Sequence, residues 1–140
     1  MWRRRWYGLI ALLRTVGHVL IKVDGAADTR LAEVIAKEYE KLKTSRPEPK
    51  IYWGFIEEER NILLKEYRFR AHEAARGFGT SLSRTNPTTG ELITVRANSS
   101  HELYIYWFRD GPFEGRREVD VAADAIQWWR AYLDGIDVQR

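Results

Sequence analysis

The chain of 140 residues contains no cysteine. That excludes disulfides, thiolate metal sites and cysteine nucleophiles, and it fits a reducing compartment. Histidine is nearly as scarce, with only His18, His72 and His101, no two of them at a metal-ligand spacing, so neither a metal nor a cofactor is expected. No apolar run approaches the ~20 residues that a membrane span needs. The basic start followed by "LIALL" does not read as a secretory leader, because Arg14 interrupts the apolar run and no small-residue cleavage site follows. A strong excess of one charge is also missing: 23 basic against 20 acidic residues leaves +3, too little to announce a nucleic-acid binder without a clustered patch. A cytoplasmic, soluble protein without membrane partners is expected.

Hydrophobic and charged fractions of 44% and 31% are those of a globular chain, and the length suits a single domain over 1–140 with a core of its own. Trp2, Trp6, Leu9, Leu13, Val16 and Leu20 recur in steps of four and three, which predicts a first helix. Ile10, Leu12, Val19 and Ile21 widen its apolar stripe and predict contact on more than one side. Asp24–Gly25 is a stop signal. Asp28 or Thr29 caps a second helix with Leu31, Val34, Ile35, Tyr39 and Leu42 on its apolar face. After the breaker "TSRPEP", Pro49 opens a third helix that carries Tyr52, Phe55, Ile56, Leu63 and Tyr67 and is expected to run to about Ala71.

Beyond Gly77 the pattern changes to alternation with turn chemistry. "NPTTG" predicts a hairpin, with glycine where the exit needs positive φ. Three short strands are expected, the last over Leu103–Phe108. A final helix from near Val119 carries Ile126, Trp129 and Leu133 and is expected to stop at Asp134–Gly135. The fold class is α+β: three N-terminal helices, a small antiparallel β-meander at about residues 78–109, and a C-terminal helix.

Two groups of residues carry candidate chemistry. On the first helix Tyr7, Arg14 and His18 share a narrow stripe, with Arg14 and His18 four apart and therefore neighbours. On the third, Glu59 and Glu66 project near the middle of the apolar face, where a carboxylate needs a partner. A polar cluster of Tyr7, Arg14, His18, Glu59 and Glu66 between the two helices is expected, either a structural ion-pair set or a functional pocket. A basic stripe over Lys65, Arg68 and His72, with Arg70 and Arg76 nearby, is a second surface that phosphates could touch.

"RNILLKEY", Arg60 to Tyr67, resembles the signature of HEPN-domain ribonucleases, helical toxins and defence proteins whose motif joins an arginine and a polar residue to a histidine. Arg60, Asn61, Glu66 and Tyr67 match, and Lys65 stands at the histidine position. The resemblance implies a helical bundle, a dimer whose two motifs meet at a cleft, and metal-free RNA cleavage. It gives Arg60 the phosphate, with Asn61 assisting and Tyr67 in support. A lysine in the histidine's place stays protonated at neutral pH and does not serve as a base.

Six tryptophans, seven tyrosines and five phenylalanines are more than one small core needs. Trp53, Tyr104, Tyr106, Phe108 and Trp128 are the surplus, which points to a homodimer or another partner surface. The reading is a non-enzymatic, self-associating binding or accessory protein of unspecified protein or small-molecule ligand. Two alternatives stay open: a HEPN-like RNA-acting protein, possibly weakened in catalysis, with RNA the less favoured partner, and a small-molecule enzyme using His18 with a glutamate.

Overall fold

The computed structural model describes residues 2–140. The fold is α+β, and the chain forms two compact units, Met1–Arg68 with Ala122–Arg140, and Phe69–Val121.

The first unit is helical. Helix α1, Trp2–Val19, runs into a π-helical turn, Leu20–Asp24, and a short α2, Gly25–Ala27. Trp6, Ile10, Leu13 and Leu20 are buried, and Trp2 stacks on Trp6 at 5.5 Å between ring centroids. The expected contact on further sides of α1 is made in part: Ile10 is buried, whereas Leu12 is 67% exposed and Val19 and Ile21 are exposed as well. Gly25 does not turn the chain left-handed. It stays in the right-handed helical region, and the break comes at the extended Asp28.

Asp28 then caps α3, Thr29–Thr44, its carboxylate accepting from the Arg30 and Leu31 amides. Leu31, Ile35 and Leu42 are buried along α3. The third helix of the sequence reading is composite, a π-helical segment Ile51–Glu57 followed by α4, Glu58–Glu66. Tyr52, Phe55, Ile56 and Leu63 are buried on it as expected. It stops five residues short of Ala71, because Tyr67 takes a left-handed conformation (φ 52°) that ends the hydrogen-bond ladder.

Helix α5, Glu118–Gln139, does not stop at Gly135. Ile136 is 2% exposed and packs with Leu20, Leu31 and Ile35, and burial of an isoleucine (~1.5–3 kcal/mol) outweighs the ~1 kcal/mol helix cost of one glycine. Ile126, expected on the core face, is partly exposed.

The second unit is built on two strands rather than a meander of three. β1, Ala71–Thr85, pairs antiparallel with β2, Leu92–Phe108, through the loop that holds "NPTTG". The two expected strands on the C-terminal side are one: between the pairs Gly79–His101 and Ser81–Arg96, residues 97–100 bulge out and the ladder resumes. Ile93, Ile105 and Trp107 form the buried face, joined by Ala74, Ala75, Leu82 and Val95. Gly90 has φ +74°, the conformation expected of it at the turn exit. No helix among the described residues is long and apolar enough to cross a membrane.

Candidate functional site

In the first unit a groove of about 650 Å³ lies between α1 and α4 and gathers several basic side chains. That size suits a small-molecule ligand. Arg14 and His18 enter it from α1, Lys22 from the π-helical turn that continues α1, and Arg60 from α4. Ile10, Ile21, Leu63 and Leu64 supply apolar wall, and among the described residues no aspartate or glutamate lines the groove. Cation-forming side chains four apart on a helix repel one another, and such spacing is mildly destabilising unless an anion meets it.

One anion does, from outside the groove. Arg14 Nε lies 3.1 Å from a Glu57 carboxylate oxygen, and the Tyr52 hydroxyl donates to the same carboxylate at 3.2 Å. The expected partners Glu59 and Glu66 do not take this place. Glu59 is fully buried in α4, and Glu66 is exposed with Arg68 at 3.4 Å. The π-helical segment explains the change: its i→i+5 bonds advance each residue by less than the α-helical ~100°, which brings Glu57 round toward α1.

Of the expected polar cluster, Tyr7, Arg14 and His18 thus meet in the groove and the glutamates stay out of it. The HEPN-type residues divide. Arg60 joins the basic groove, whereas Asn61 and Lys65 line a separate groove of about 470 Å³ with Arg46, Trp53, Glu57 and Glu58. Tyr67 lines neither and is 79% exposed. The basic helical stripe does not exist, since α4 ends at Glu66, Arg70 is buried, and His72 and Arg76 belong to β1.

Lys22 and Glu57 stand outside the expected polar cluster. The i+4 step from His18 to Lys22 is visible in the sequence, but Glu57 depends on a π-helical register that has no sequence signature. Among the described residues, no group of three or more His, Asp or Glu is placed to hold a metal ion.

Within the first unit Tyr52, Trp128, Trp129 and Tyr132 pack together. Tyr52 meets Trp128 at 4.8 Å and Trp129 at 6.0 Å, and Tyr132 stacks on Trp128 at 5.0 Å. Phe108 is buried, and Trp53, Tyr104, Tyr106 and Trp128 are half-buried, so the exposed aromatics are instead Tyr67, Phe78 and, less so, Tyr7.

Burial holds the Tyr52 hydroxyl far above the usual tyrosine range, reinforced by the Glu57 charge, and burial pushes Tyr132 up to about 12. A tyrosine raised in the folded state lends stability below the unfolded value of ~10 and loses it as pH climbs through the folded value. The melting temperature is therefore expected to fall between about pH 10 and 12. Tyr132→Phe should flatten that fall in a pH series of thermal melts, and an unchanged slope would remove Tyr132 from the account.

Compared with known proteins, the chain matches no family model, no curated protein and no solved structure. The groove is therefore interpreted from its own chemistry.

Proposed function

We propose that the protein is a non-enzymatic binding protein whose groove between α1 and α4 takes an organic anion. One observation carries this reading: Arg14, His18, Lys22 and Arg60 line a cavity of ligand size, beside apolar wall, with no carboxylate among the lining residues. The cations select negative charge, and the apolar wall favours a ligand with a carbon skeleton over a bare inorganic ion. Catalysis has less support. His18 has no glutamate beside it in the groove, and Arg60 and Lys65 line different grooves, which favours anion binding over the RNA-acting alternative.

Calorimetric titration with hexanoate tests the proposal. Binding is expected, and Arg60→Ala should weaken it by about tenfold to a hundredfold, the worth of one charge-assisted hydrogen bond. Lys65→Ala, in the other groove, should leave it unchanged. Equal loss in both variants would mean that general surface charge, not the groove, attracts the anion. Bulk RNA incubated without metal is expected to stay intact, and cleavage abolished by Arg60→Ala would favour the RNA-acting alternative.

A further inference from the structure

The buried residues Trp6, Ile10, Leu13, Gly17 and Leu20 follow one another by four or three positions. The residues just before them are Arg5, Leu9, Leu12, Val16 and Val19. One residue is about 100° of helical turn, so these five make a second stripe beside the buried one. Four of them are apolar. Yet Leu12 is 67% and Val19 40% exposed, and Leu9 and Val16 are only half-buried. Steps of three, four and three are the spacing by which one helix seats against another of the same pattern. Arg14 and His18, in the groove, come one position after the buried stripe and so lie on its other flank. Helix α1 thus has a basic flank toward the groove and an apolar flank that its own chain leaves open.

Charge selects what covers the open flank. Residues 2–27 hold a single carboxylate, Asp24, at the end opposite Arg3, Arg4 and Arg5. Among the described residues neither Arg4 nor Asp24 forms an ion pair within the chain. A second copy laid parallel would set arginine beside arginine. Laid antiparallel, it brings each basic end to the other copy's Asp24. A two-fold axis at the level of Arg14 then sets Leu9 against Val19 and Leu12 against Val16 of the second copy. Apolar meets apolar in all four layers, and the same register puts Arg4 level with Asp24.

We infer that α1 is a self-association helix: two copies of the chain pair antiparallel through Leu9, Leu12, Val16 and Val19, on the flank away from the groove. This does not rest on the anion-binding reading. It accounts for the apolar width of α1, which calls for contact on more sides than one chain provides. Four layers make a small interface, so the dimer is weak and reversible.

Sedimentation equilibrium of the unmodified chain over a concentration series should show a monomer–dimer transition. Leu12→Glu and Val19→Glu each put a carboxylate into two symmetry-related layers, and each should weaken dimerisation by about a hundredfold or more. Both side chains are open to solvent in the single chain, so the melting temperature of dilute samples should barely change. Orientation is read from a spin label on Arg4→Cys, unique because the chain has no cysteine. Antiparallel copies hold the two labels about 30 Å apart along the axis, whereas parallel copies leave them about 10 Å apart. A chain that stays monomeric up to about 1 mM, or a dimer indifferent to both glutamates, would overturn the inference. Adjacent labels would do the same. So would a monomer that co-sediments with vesicles of phosphatidylcholine and phosphatidylglycerol and is released by Leu12→Glu, since that gives the stripe to a lipid surface. Hexanoate binding keeps the two readings apart: dimerisation without it leaves this inference standing and removes the anion groove.

Discussion

Phe55→Ala is expected to lower the free energy of unfolding by about 3–5 kcal/mol, the range for deleting a buried phenylalanine ring. Phe55 has no exposed surface, and its ring lies 5.8 Å from that of Trp6. It sits within Ile51–Glu57, the π-helical segment that brings Glu57 to Arg14. Loss of the ring leaves a cavity beside Trp6 that the surrounding core can fill only partly. Phe55→Leu keeps most of the volume and should cost clearly less. Urea unfolding of both variants measures the difference, and the anion-binding groove should be perturbed in proportion, because α4 is held against α1 through this segment. A loss under about 1 kcal/mol for the alanine variant would mean that this core is not what fixes the helix pair.

The second large effect belongs to the strand unit. Asn86→Ala should cost about 2–4 kcal/mol, because one buried side chain serves three backbone groups. Its Oδ1 accepts from the Thr88 amide at 2.9 Å and the Thr89 amide at 3.4 Å, and its Nδ2 donates to the Gly115 carbonyl. The first two bonds shape the loop between β1 and β2, and the third ties that loop to the segment after β2. Asn86→Asp keeps the acceptor but turns an oxygen toward the Gly115 carbonyl, so it should rescue only the loop half. Hydrogen exchange separates the two parts: Thr88 and Thr89 should lose protection in the alanine variant and regain it in the aspartate variant, with overall stability still reduced. Full recovery in Asn86→Asp would show that the tie to Gly115 contributes nothing.

Much of the helical frame was legible in the chain. The α1 stripe, the Asp28 cap and the apolar face of α3 follow from local periodicity and capping chemistry, which tertiary contacts reinforce here rather than override. The hairpin turn was legible for the same reason, since Gly90 has the conformation that "NPTTG" demands. What escaped the sequence was decided by packing. Gly25 and Gly135 both read as helix stops, yet each lies within helix. A Cβ at Gly25 would sit 3.5 Å from Ile35, and the turn after Gly135 is retained because it buries Ile136. Strand β2 reads as two strands because its four-residue bulge at 97–100 resembles a turn in composition. In the site, the cation stripe from Arg14 to His18 was visible and its continuation to Lys22 followed the same spacing. Its acidic partner was not, because an ideal ~100° helical wheel puts Glu59 and Glu66 where a π-helical register brings Glu57.

The central claim is that the α1–α4 groove binds an organic anion. The most direct test is a backbone amide NMR titration of the full chain with hexanoate. Shifts confined to the turns around Arg14, His18 and Lys22 and to the turn from Arg60 to Leu64, saturating with one dissociation constant and lost in Arg60→Ala, are the predicted result. Shifts centred on the Trp53–Lys65 groove, or scattered over exposed lysines and arginines without saturation, would contradict it.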